Sequence, residues 1–382
     1  MQYKTVRKEF NSFMIAAKKV YFKELDATRF LGFLHVFLAH CFFTTNLAIQ
    51  NSAPFYFVNH YLKAGFLGLD YFFVLSSFLL TYLGFEERKV SGQFNPIKFL
   101  IRRGLRLWPL YYLIVIGVFS VIYIFNYSSQ IKEIPSICNY LFFIQNFWMV
   151  KNGQDFLFIL VFLWSIAIEE QFYIFWAFVQ RFLFRFIVPL SFVLIIGSVI
   201  FRFIYYQSEN HLIFHTISAL GNFGLGAIAA YIAFNHHKIL LVIQQIKKPI
   251  IFIIYALFII LTLFYFQLFT TRAPVSIEKI IFGLLFCFII LEQSYSKNSI
   301  IKLGGNKVIN YLGQLSLGLY IYHGLILTVF VYFTKNNSSP TSYMQVFVYQ
   351  PVSILMLTIL LAILSYEVFE KRIYKLRNYF YS

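Results

Sequence analysis

The stretch Thr28-Arg29-Phe30-Leu31-Gly32-Phe33-Leu34-His35-Val36-Phe37-Leu38-Ala39-His40-Cys41 decides how this chain is read. It is apolar enough to begin a bilayer crossing, yet it holds Arg29 and, eleven residues on, His40. A charged side chain at bilayer depth costs roughly 2.5–3.5 kcal/mol on insertion scales, so a sequence that keeps one there needs it for something. At about 1.5 Å per residue, eleven residues carry His40 about 16 Å beyond Arg29, near mid-membrane if Arg29 lies at the boundary; the spacing is close to three turns, so the two share a face. The alternative for this segment alone is an arginine snorkelling to the interface and a hydrogen-bonded core histidine.

The rest of the chain is of the same kind. Of 382 residues, 60% are hydrophobic and only 12% charged, with a mean hydropathy of +0.71. Soluble domains carry about a quarter of their residues as charges, so this is a polytopic membrane protein whose first partner is the lipid bilayer. The 50 phenylalanines and an aromatic share of 21% suit lipid-facing and interfacial surfaces. A net charge of +17 taken alone suggests nucleic acid, but the basic residues sit between apolar runs and no polar stretch is long enough to fold around a duplex. No nucleic-acid partner is expected. Cys41, Cys138 and Cys287 are far apart and lack metal-ligand spacing, so they read as ordinary buried thiols and no metal site is expected.

Runs of about 20 apolar residues give ten candidate spans: 28–48, 65–84, 108–127, 158–180, 186–206, 212–234, 249–268, 274–292, 311–333 and 347–369. The apolar stretch 138–150 is too short for a crossing and reads as re-entrant or interfacial. Loops on alternate sides differ sharply in charge. One set collects Arg88, Lys89, Lys98, Arg102, Arg103 and Arg106, then Arg181 and Arg185, then Lys238, Lys247 and Lys248, then Lys297, Lys302 and Lys307. The other set has only Lys63, Lys132, Lys151, Arg272 and Lys335. Cytoplasmic loops are the basic ones, so the expected fold is an all-α bundle of about ten transmembrane helices with both termini cytoplasmic. Residues 1–24 read as a basic, amphipathic cytoplasmic segment rather than a signal peptide, with Phe10, Phe13, Met14, Ala17, Val20 and Tyr21 at helical spacing; a partly disordered basic tail is the other reading. Residues 25–370 form the membrane domain, and 371–382 a short basic tail, so the function is expected to reside in the bundle.

Five constellations carry polar chemistry into the apolar runs. The first is Leu25-Asp26-Ala27-Thr28-Arg29 with His40. The second runs Gly65-Phe66-Leu67-Gly68-Leu69-Asp70-Tyr71-Phe72-Phe73-Val74-Leu75-Ser76, where the glycines suit close helix packing and Asp70 needs a partner. The third is Arg102-Arg103-Gly104-Leu105-Arg106-Leu107-Trp108-Pro109. Arg103 and Arg106, three apart on a helix, share a face and suit a phosphate group; plain anchoring at a basic interface is the alternative. The fourth, Trp164-Ser165-Ile166-Ala167-Ile168-Glu169-Glu170-Gln171-Phe172-Tyr173, places two carboxylates and an amide where lipid cannot receive them. The fifth is Leu319-Tyr320-Ile321-Tyr322-His323, a second mid-span histidine, followed near the end by Glu367 and Glu370. Pairing with Lys371 or Arg372 accounts for Glu367 and is an option for Glu370.

In this order and over nearly the whole chain, these motifs resemble acyltransferase family 3 of the membrane-bound O-acyltransferases, which move acetyl or related groups from acyl-CoA to sugars and other acceptors. The resemblance implies that Arg29 and His40 form an essential pair and that Arg103 and Arg106 form the second essential arginine motif. The sequence departs from the family at Phe30 and Ser77, where glycine is usual, which bears on helix packing. It further implies acyl-CoA, acetyl-CoA first, as donor substrate with no permanently bound cofactor, a glycan or lipid-linked sugar as acceptor, and a bacterial cytoplasmic (inner) membrane location. In the expected mechanism the donor's phosphates meet Arg29, Arg103 and Arg106, His40 is general base on an acceptor hydroxyl, and Glu169 orients a partner or holds an arginine. Asp70, Glu170, His323 and Glu370 are further candidates. An acyl-histidine relay through His40 or His323 is an alternative within catalysis. The rival from another class is a transporter or flippase for an anionic solute or lipid-linked sugar, against which stands the lack of an inverted repeat. A scaffold explains the topology but not Glu169 beside Glu170.

Overall fold

The computed structural model describes residues 21–125, 135–154, 157–336 and 342–380, and among them every regular element is helical. Most of the expected amphipathic segment 1–24 lies outside the described residues, as do the tips of two sparsely charged loops. The ten longest helices, numbered in chain order, are α1 (Lys23–His40), α2 (Leu67–Ser91), α3 (Pro96–Ile124), α4 (Trp164–Phe182) and α5 (Ile187–Ile204), followed by α6 (Thr216–Asn235), α7 (Lys248–Leu263), α8 (Arg272–Tyr295), α9 (Ser316–Asn336) and α10 (Gln350–Ser365). Each overlaps one expected span. By length and apolarity, eight continuous helical stretches qualify as crossings, and nine if His237–Gln244 and α7, which meet at 91°, count as one. The expected count of ten is corrected to that extent. α1 does not qualify because Lys23, Glu24, Asp26 and Arg29 crowd its first two turns.

Local chemistry sets the ends that position the site. Asn95 caps α3 by accepting the Lys98 N–H at 3.0 Å, with Pro96 in the first turn, where a missing N–H costs nothing. α2 stops at Gly92, whose φ of 76° is left-handed and suits glycine. The stretch expected to be re-entrant or interfacial forms two short helices, Ile137–Leu141 and Gln145–Asn152. Their buried amides donate into the bundle, Gln145 to the Leu163 carbonyl at 2.8 Å and Asn146 to the Phe214 carbonyl at 3.1 Å.

Contacts at the two ends follow the alternation of charge in the loops. At the basic end, Glu87 near the close of α2 pairs with Arg102 of α3 at 2.6 Å, and Arg181 of α4 reaches Gln93 at 2.6 Å. At the opposite end, Gln350 of α10 donates to the Cys41 carbonyl after α1 at 2.9 Å, and Thr328 of α9 receives the Ile159 N–H at 3.0 Å. Successive long helices therefore run antiparallel, with the Lys- and Arg-rich connections together. After α10 the chain turns back over α3, where Arg102 donates to the Phe380 carbonyl at 2.8 Å.

α1 packs tightly against α2 and the turn that precedes it. A Cβ added to Gly65 would stand 2.6 Å from the His35 carbonyl oxygen, and one on Gly68 would stand 2.8 Å from Val36 Cγ2. These glycines are packing residues, as the sequence suggested. At Ser77, where the resemblance leads one to expect glycine, the hydroxyl donates to the Phe223 carbonyl at 2.5 Å, so the extra polar group is satisfied. Overpacking a tight contact costs about 1–3 kcal/mol. Gly68→Leu should therefore lower the thermal unfolding midpoint in detergent, whereas Gly117→Leu, at a position with nothing within 4 Å, should leave it unchanged.

Candidate active site

Five helices wall an open cavity on the basic side of the bundle. α1 brings Arg29, α2 brings Ser76, and α3 brings Arg103 and Arg106. α4 adds Ser165, Glu169 and Tyr173, and α9 adds Ser316 and Tyr320. Leu69, Phe72, Phe73 and Leu107 complete an apolar part of the wall. Three guanidinium groups against one carboxylate give the cavity a surplus of positive charge, which suits an anionic ligand.

Each group is held by its neighbours. Asp26 forms an ion pair with Arg29 one turn away and also receives the Tyr21 hydroxyl, while Gln314 donates to it at 3.4 Å. The Leu-Asp-x-x-Arg motif is thus a built-in anchor for its arginine. The Arg103 guanidinium lies over the Tyr173 ring at 5.5 Å and the Phe99 ring at 5.9 Å. No carboxylate among the described residues lies within ion-pair distance of Arg106. Glu169 accepts the Ser76 hydroxyl at 2.9 Å and the Tyr173 hydroxyl at 3.0 Å, which orients it in the cavity wall.

His40 lies outside this wall. Its Nδ1 is 2.7 Å from the Val36 carbonyl, which can only accept, so in the neutral ring the proton sits on Nδ1 and Nε2 carries the lone pair. His323 is fully buried and repeats the arrangement with the Tyr320 carbonyl. The two imidazole rings are 6.2 Å apart. Phe162 stands against both, 4.9 Å from His40 and 4.5 Å from His323, and 6.2 Å from the ring of Tyr320 in the cavity wall. The Phe162 ring thus lies where Tyr320 and the two imidazoles meet. It sits at the end of a short helix, Phe158–Phe162, just before the break that precedes α4.

The other sequence candidates fall elsewhere. Glu170, one residue from Glu169 and so about 100° around the helix, turns away from the cavity and accepts the Trp108 indole N–H at 3.0 Å. Asp70 is buried against Lys279 at 2.6 Å and Asn222 at 2.7 Å, away from the cavity wall. Glu370 receives the Ser365 hydroxyl at 2.8 Å and does not line the cavity, and Glu367 pairs with Lys371 at 2.6 Å. Lys279, and the buried pair of Arg202 with Glu278, escaped the sequence reading. The signal was available, since each is an ionisable residue inside an apolar run.

The acyltransferase domain family matches residues 22–367, from the anchor of Arg29 to the last helix. The chain belongs to the acyltransferase family 3. Family membership favours an enzyme over a transporter or scaffold. Among relatives, a protein of Staphylococcus aureus strain COL whose name marks it as a candidate O-acetyltransferase, SACOL0978, is 27% identical over 340 residues, covering 85% of this chain and 55% of the relative. The O-acetyltransferase OatA of Staphylococcus aureus strain NCTC 8325 is 26% identical over 336 residues, covering 82% of this chain and 53% of the relative. The chain therefore spans about half the length of these relatives. No solved structure matches it.

If the Phe162 ring shields the histidines, removing it should expose them. Phe162→Ala should speed diethyl pyrocarbonate modification of the peptides that carry His40 and His323, read by mass spectrometry. Rates equal to those of the unaltered protein would remove Phe162 from that role.

Proposed function

We propose that this family member transfers an acyl group, acetyl first among them, from acyl-CoA to a hydroxyl of a cell-surface or lipid-linked glycan. The observation that carries the reading is the convergence of Arg29, Arg103 and Arg106 with Glu169 on one cavity. Guanidinium groups bind phosphate oxygens bidentately, and the phosphates of CoA are the part of the donor that needs cations. The basic loops at the same end argue that the mouth and both termini face the cytoplasm, where acyl-CoA is made, in a bacterial cytoplasmic membrane.

In this reading the donor enters with its phosphates at the arginines and its thioester pointing past Tyr320 toward the histidines. The free Nε2 of His40 removes the proton of the acceptor hydroxyl as that oxygen bonds to the thioester carbonyl carbon. The C–S bond then breaks, and the proton passes from His40 to the departing thiolate, giving acylated acceptor and CoA. Neutral imidazole suits both halves of this exchange near neutral pH. Glu169, held by Ser76 and Tyr173, stands among the guanidinium groups and so fixes the cavity's shape before the donor arrives. The apolar wall formed by Leu69, Phe72 and Phe73 suits the pantetheine arm and acyl chain better than a free inorganic anion.

General-base removal costs about 10²–10⁴ in rate. His40→Ala should therefore abolish measurable acylation by purified protein given acetyl-CoA and cell-envelope glycan, with acetyl-CoA binding retained. Arg106→Ala should instead raise the KM for acetyl-CoA by about tenfold or more while kcat changes less. Unchanged acylation in His40→Ala would overturn the base assignment, and an unchanged KM in Arg106→Ala would overturn the donor site.

A further inference from the structure

His323 is among the fully enclosed titratable groups that the mechanism above leaves idle. Its side chain is 0% exposed, its Nδ1 is occupied by the Tyr320 carbonyl, and its Nε2 has no hydrogen-bond partner. A buried acceptor without a donor is costly, and native folds rarely keep one without a use. His40, on α1, also has its Nδ1 held by a helix carbonyl, so its Nε2 likewise carries the lone pair. No described residue donates to the His323 Nε2, and the His40 ring stands close enough for one ligand to reach both.

The ring separation narrows what that ligand is. At 6.2 Å between centroids the two imidazoles are too far apart for a direct N–H···N bond. A single alcohol hydroxyl has one hydrogen and serves one ring. Two hydroxyl oxygens on adjacent carbons lie about 3 Å apart, which lets each donate to its own Nε2 at ordinary hydrogen-bond length. Of the rings packed against His323, those of Phe33 and Phe162 offer no polar atom, and the Tyr320 hydroxyl is committed to the Phe162 carbonyl at 2.7 Å.

We propose that His40 and His323 together recognise an acceptor bearing two neighbouring hydroxyls, as on a sugar ring. This inference rests on the reading of His40 as general base. The reacting hydroxyl gives its proton to His40 Nε2, its oxygen bonds to the acyl carbon, and the proton leaves on the CoA thiol. The neighbouring hydroxyl donates to His323 Nε2 and is chemically unchanged. His323 is then a specificity residue that touches the acceptor and fixes which hydroxyl faces His40. A site built around a substrate hydroxyl discriminates strongly against the analogue that lacks it.

The test uses the full chain in nanodiscs with acetyl-CoA and two probes, a methyl glycoside with an intact vicinal diol and its monodeoxy analogue. Turnover is read as CoA release and as product mass. The unaltered protein should prefer the diol by about tenfold or more in kcat/KM. His323→Leu should lose that preference and acylate both probes at the deoxy rate, with the KM for acetyl-CoA unchanged. His323→Gln, which restores an acceptor oxygen, should recover part of it. The proposal is overturned if the unaltered protein acylates both probes equally or neither, if His323→Leu keeps the full preference, or if both variants lose turnover equally on both probes. His40→Ala separates the two claims. Full activity in that variant sinks the general-base reading itself, whereas an inactive His40→Ala beside an unaltered His323→Leu sinks only the role of His323.

Discussion

A charge inside a bilayer has to be paired, hydrogen-bonded or bathed in water, and this one constraint orders the bundle. The interior ionisable residues divide accordingly. Asp70 with Lys279 and Arg202 with Glu278 are closed pairs, each buried and each tying together helices far apart in sequence. Such pairs fix helix register more than they stabilise, because desolvation offsets most of the attraction between the charges. Arg29, Arg103, Arg106 and Glu169 are handled differently, by lining an open cavity. Arg29 belongs to both groups, anchored by Asp26 and facing the cavity.

In the proposed reading the same division separates binding from chemistry. The arginines lie toward the basic end, while the two histidines lie about three helical turns farther along α1 and one turn beyond Tyr320 on α9. An extended pantetheine arm suits such a separation, with phosphate at one end and thioester at the other. Phe162 occupies the junction, against both imidazoles and at a break in the helix. A movable aromatic ring there would keep water from the thioester until the acceptor is seated.

Much of this was legible in the sequence because a membrane leaves few alternatives. Apolar runs and the alternation of Lys and Arg located the helices, and the polar residues within the runs located the cavity. Gly65, Gly68 and Glu367 take the packing and pairing roles their neighbours implied. The misses have physical reasons. Glu170, kept as a further candidate, does not face the cavity as Glu169 does, because adjacent helical positions point about 100° apart. Lys279 could not be matched to Asp70 because 209 positions separate them. The two histidines share a motif type but no spacing, so their meeting at 6.2 Å is a tertiary fact. α1 is a case where function works against the pattern, since the charges that anchor Arg29 make it the least apolar of the long helices near its start.

The most direct measurement is an experimental structure of the protein with a non-hydrolysable acyl-CoA analogue. The account predicts the diphosphate within about 4 Å of the Arg29, Arg103 and Arg106 guanidinium groups, and the thioester-mimicking atom beyond Tyr320 beside His40, with the Phe162 ring displaced. An analogue lying outside this cavity, or one whose acyl end points away from His40, would contradict it.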